Sequence, residues 1–67
     1  MITLAEQIAE AQREFALRKQ VYPQMVQRGD LRAEDARHRL LVMEEIVRTL
    51  MRLDAEQRQL SLFGSRE

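Results

Sequence analysis

The chain contains no cysteine and no tryptophan, one proline, two glycines and a single histidine, and each shortage removes a class of protein. Without cysteine there is no disulfide framework and no thiolate metal site. His38 has no second histidine to complete a metal site and lies between Arg37 and Arg39, whose charge repels a cation. No metal and no other cofactor is expected. A glycine-rich phosphate loop is absent, and serine occurs only at Ser61 and Ser65, so neither phosphate-loop chemistry nor a serine nucleophile has its residues. Charge of one sign is also lacking: eleven basic and eleven acidic residues cancel, which leaves no global attraction to phosphate backbones or anionic membranes. No segment approaches the roughly 20 apolar residues of a spanning helix. The start, Met1-Ile2-Thr3-Leu4-Ala5-Glu6, has neither a basic leader nor a signal-length apolar run. A cytoplasmic protein with no membrane partner is the expectation.

What is present is helix-forming material. Ala, Glu, Gln, Arg, Leu and Met dominate the sequence, and these residues lose least on entering a helix. Thr3 followed by Glu6 is the pattern of a capping box, in which each side chain satisfies the other's backbone N–H. Leu4, Ile8, Ala11 and Phe15 then recur at spacings of four and three and draw one apolar stripe. Pro23 lacks an N–H and discourages helical geometry at Tyr22, so the first helix is expected over 3–21. A short helical turn from Pro23 to Arg28 then carries Met25 and Val26 and closes at Gly29 in the left-handed conformation. Asp30 to Arg32 form the turn. The second helix is expected over 33–57, with Glu34 and Asp35 complementing its dipole and with fraying from Asp54 to Arg58. Glu14–Arg18, Glu44–Arg48 and Asp54–Arg58 are i,i+4 pairs that support such helices.

The apolar positions of the second helix are Ala36, Leu40, Met43, Ile46, Val47, Leu50, Met51 and Leu53. They make a stripe wider than a two-stranded seam requires, which implies more than one neighbour. A chain of 67 residues buries only a modest part of its surface on folding, and with disulfides and metal excluded, self-association is the remaining remedy. The fold class expected is all-α: an antiparallel helical hairpin with a short helical turn between the long helices, assembled as a homodimeric four-helix bundle. The hairpin domain is placed at 1–58 and a C-terminal tail at 59–67. The turn Gly29-Asp30-Leu31-Arg32-Ala33-Glu34-Asp35-Ala36 resembles that of small bacterial and phage helical-hairpin proteins, in which a Ser or Thr commonly stands where this chain has Arg32. The resemblance implies hairpin topology and nothing functional.

The segment Gln59-Leu60-Ser61-Leu62-Phe63 resembles, at all five positions, the pentapeptide by which bacterial polymerases, mismatch-repair proteins and clamp regulators bind the DNA sliding clamp. The resemblance implies that Gln59 makes polar contacts at a pocket rim, Leu60 occupies a shallow subsite, and Leu62 with Phe63 fills a deep apolar cleft. That division of labour is physically coherent, an apolar anchor in a desolvated pocket with a polar group fixing register. The polar residues that follow, Gly64-Ser65-Arg66-Glu67, offer nothing to bury Leu62 and Phe63. In the competing reading Leu60, seven residues after Leu53, continues the helix stripe, and Leu62 and Phe63 close over the hairpin's own end.

A third reading concerns nucleic acid. Residues 18–28 contain Arg18, Lys19 and Arg28 and no acid, but Glu14, Asp30, Glu34 and Asp35 interleave and no aromatic platform accompanies them, so a solvated face is favoured over direct nucleic-acid binding. Glu44-Glu45 and Glu34-Asp35 are adjacent pairs that point apart on a helix and have no convergent base or nucleophile. Enzyme activity is not expected. Met25, Met43 and Met51 at helical spacing suit core filling, and Tyr22 is expected to pack at the helix junction with its hydroxyl wet.

Overall fold

A computed structural model describes the backbone of residues 1–64 and the side chains of residues 1–62. Among the described residues there are two helices, α1 (Leu4–Gln27) and α2 (Ala33–Gly64), packed against each other as a hairpin. No strand occurs among the described residues. The backbone N–H of Glu6 donates to Thr3 Oγ1 at 3.1 Å, which gives α1 the cap that its sequence announces. The returning bond of a full capping box, from the Thr3 N–H to the Glu6 carboxylate, is not among the hydrogen bonds of the described residues.

Pro23 does not end the first helix. α1 runs through it to Gln27 as one element of 24 residues, so the expected stop near Val21 and the separate helical turn merge into a single helix. The proline removes one ladder bond to Lys19, while Tyr22, one residue before it, is buried against the opposing helix. Burial of the last two turns outweighs the local preference. Because Pro23 itself is exposed, Pro23→Ala removes the backbone penalty without touching the core. It is expected to stabilise the fold by roughly 1–3 kcal/mol, measurable as a raised thermal midpoint in circular dichroism.

The end of α1 is built as expected at Gly29, whose φ is +82°. Its N–H donates to the Val26 carbonyl at 3.1 Å and the Asp30 N–H to the Met25 carbonyl at 2.8 Å, the paired bonds of a Schellman closure. After Asp30 and Leu31, α2 starts with the Ala36 N–H bonded to the Arg32 carbonyl at 2.9 Å. Arg32 thus stands at the cap position with no side-chain acceptor to offer the first N–H groups of α2. Arg32→Ser is expected to add about 1 kcal/mol of stability, read as a shift in the denaturant midpoint at unchanged slope.

The helices meet along two rows with alternating spacings of four and three. On α1 the row is Leu4, Ile8, Ala11, Phe15, Arg18, Tyr22 and Met25, and on α2 it is Ala36, Leu40, Met43, Val47, Leu50 and Asp54, all of them buried or half-buried. Only Tyr22, Ala36 and Met43 fall in the buried class, and no side chain is completely enclosed among the described residues. Gln12 Nε2 lies 4.0 Å from Met51 Sδ, which fixes the antiparallel register. Of the expected ion pairs, Glu14–Arg18 (2.8 Å) and Asp54–Arg58 (3.1 Å) form, whereas Arg48 pairs with Glu45 at 3.3 Å rather than with Glu44.

Candidate functional site in the last turns of the second helix

The fraying expected from Asp54 to Arg58 does not occur. α2 continues through Gln59, Leu60, Ser61, Leu62 and Phe63 to Gly64, because nothing before Gly64 breaks the helix and each added residue gains a ladder bond at little cost. The boundary placed at 58 therefore coincides with no change of secondary structure. With Gln12 beside Met51, an antiparallel partner keeping step along the rows sets Leu4 roughly alongside position 59. The last turn of α2 projects past the start of α1.

Leu60 is 70% exposed and Leu62 69% exposed, and Gln59 and Ser61 are exposed as well. The side chain of Phe63 lies outside the described residues. Gln59 and Leu62 border a shallow groove with Ala5 and Ile8 of α1 and Met51 and Ala55 of α2. The Asp54–Arg58 ion pair sits at the same groove, with the Asp54 carboxylate largely covered. Gln59, Leu60, Ser61 and Leu62 thus stand on one protruding helical end. Successive helical positions diverge by about 100°, so Leu60 and Leu62 leave it in different directions.

The three basic residues considered for nucleic acid do not converge. The Arg18 guanidinium is half-buried in the interhelical row and bonded to Glu14 at 2.8 Å, and that bond raises its already high pKa further. Lys19 Nζ stands 4.4 Å over the Phe15 ring, a cation–π contact. Arg28 lies at the hinge, about 15 Å further along the helix, paired with Asp30 at 3.3 Å. Each cation already has an intramolecular partner. Among the described residues there is no group of three or more His, Asp or Glu placed to hold a metal, and no helix is long and apolar enough to cross a membrane.

One feature of α2 lies outside the expected sites. Ile46 and Leu53, placed in one wide stripe by the sequence, do not face α1. With Val42 and Thr49 they form a second row, 42-46-49-53, turned about a third of a revolution from the row that meets α1. Val42, Ile46 and Leu53 are 44%, 43% and 42% exposed, and Val42, Ile46, Thr49 and Leu50 outline a shallow apolar groove. Alternation of four and three within each row was the signal that separates the two. No protein-family model matches the chain, and no curated protein and no solved structure matches it.

Proposed function

We propose that this chain is a non-enzymatic interaction protein, a dimeric four-helix bundle that docks on the bacterial DNA sliding clamp through Gln59 to Phe63. The observation that carries the reading is a five-position match to the clamp-binding peptide, carried on a protruding helical end where Leu60 and Leu62 are largely exposed. In the helical state Leu60 and Leu62 leave the helix in different directions and do not enter one extended groove side by side. Docking in the manner of the resembling peptides therefore unwinds the last one or two turns of α2. That rearrangement is inexpensive at a helix end, where few tertiary contacts are lost. The test is calorimetric titration of purified clamp with the full chain and with a form truncated after Arg58. Binding by the first and none by the second supports docking, and no binding by the full chain rejects it.

A second reading has its own observation. Leu62 borders a groove containing Ala5 and Ile8, which suits a structural oligomerisation module whose C-terminal residues rest on its own hairpin. In that case the truncation lowers hairpin stability and the clamp titration is silent. A nucleic-acid regulator is the weakest reading, since Arg18, Lys19 and Arg28 are separated and internally paired.

A further inference from the structure

The hairpin is too open to be complete alone. Its accessible surface is 5723 Å², whereas a compact chain of its mass would expose about 4,400 Å². Its radius of gyration is 16.4 Å, against about 11 Å for a compact chain of this length. The excess surface, about 1,300 Å², exceeds the roughly 800 Å² that each partner of a standard stable interface covers. The row 42-46-49-53 is one apolar part of that excess on α2, beside Leu41, Met51, Leu60 and Leu62, and it has the alternating spacing of a seam for another helix.

We infer that this row is covered by the same row of a second copy, with the two α2 helices antiparallel about a two-fold axis between Val47 and Arg48. The inference rests on the dimeric reading above and adds to it the face, the direction and the register. Three observations select this arrangement. First, pairing Val42 with Leu53 and Ile46 with Thr49 of the other copy matches the row to itself without leaving an apolar residue opposite a charge. Second, Glu45 and Arg52 lie on one flank of the row, both exposed. An antiparallel two-fold in this register sets each Glu45 against Arg52 of the other copy, twice per dimer. Third, Glu56, which interrupts the row beyond Leu53, comes opposite His38 and Arg39. A parallel in-register alignment instead sets Glu45 beside Leu50 of the other copy, and where the row continues it stacks Arg39 on Arg39 and Glu56 on Glu56, like charges that repel. Sliding the seam to include Leu60 brings Glu56 against Ile46 and buries an unpaired charge.

In this dimer the two helix ends carrying residues 59–64 point away from each other, with the Leu62 positions about 43 Å apart along the bundle. Pairing along Val42–Leu53 leaves both ends outside the seam.

The natural lack of cysteine makes single-cysteine variants unambiguous reporters. Under mild oxidation Thr49→Cys, close to the axis, is expected to yield covalent dimer, and Leu60→Cys, far from its counterpart, only traces. Sedimentation equilibrium provides the second measurement. Glu45→Arg alone and Arg52→Glu alone are expected to raise the dimer dissociation constant about tenfold or more, and the double exchange Glu45→Arg/Arg52→Glu to restore it. A wild-type chain that remains a folded monomer at micromolar concentration overturns the dimer itself. A dimer in which Leu60→Cys cross-links as well as Thr49→Cys, or in which the double exchange is no better than either single, keeps the dimer and overturns the antiparallel seam. Helicity by circular dichroism, unchanged in the exposed charge variants, confirms that the comparison is between folded proteins.

Discussion

Met43→Ala is expected to remove a large share of the stability of the hairpin. Met43 is the most buried large side chain of α2 and, with Tyr22 and Ala36, one of three buried residues among those described. Truncating a buried methionine costs about 2–5 kcal/mol through lost transfer energy and the cavity left behind. A domain of this length has a total stability of only about 3–10 kcal/mol, so this single change takes a large share. The control is Met51→Ala: Met51 is half exposed, and its truncation should cost well under half as much. Thermal or urea unfolding followed by helicity decides it, at one fixed chain concentration so that any self-association, which raises apparent stability by mass action, is held constant. Equal losses in the two variants would mean that the row 36-40-43-47-50 is not the seam that holds the helices together.

That seam was legible in the sequence, and the places where the reading failed share a cause. Thr3, Gly29 and the alternation Leu4, Ile8, Ala11, Phe15 announce a cap, a closure and a buried face by local chemistry alone, and each takes its expected place. Pro23 misleads because its cost is local while its compensation comes from Tyr22, whose burial depends on a helix more than ten residues away in sequence. The end of α2 misleads in the opposite sense. The apolar period toward α1 is lost after Leu50, where Asp54 takes the next place in the row, yet helix propensity carries the backbone on to Gly64. Loss of amphipathic pattern marks where a partner ends, not where a helix ends. Likewise the stripe from Ala36 to Leu53 was recognisable as too wide for one neighbour; the alternation of four and three divides it into two rows, and burial decides which of them faces α1.

Replacing both Leu62 and Phe63 by alanine is expected to abolish detectable clamp binding while leaving helicity and self-association intact. Leu62 is 69% exposed, so its removal takes little from the hairpin, and positions 62 and 63 lie outside the seam proposed along Val42–Leu53. On the clamp, fully burying a Leu or Phe side chain contributes about 1.5–3 kcal/mol each. Unwinding the end of α2, ordering the released peptide and losing translational freedom offset much of that gain. A single peptide should therefore bind in the micromolar range, and without its two apolar anchors the remainder falls below calorimetric detection. Ser61→Asp should bind as the wild type does, because the resembling peptides accept either residue. In the proposed dimer, two ends about 43 Å apart would engage one clamp together only if its pockets are spaced to match, and otherwise each dimer would bridge two clamps or bind through one end. The stoichiometry of the titration separates these cases: one dimer per two pockets with tightened affinity marks bivalent docking, and one end per pocket at micromolar affinity marks independent docking. Equal heats from the wild type and the double alanine variant would place the binding elsewhere on the molecule and end the case for Gln59 to Phe63.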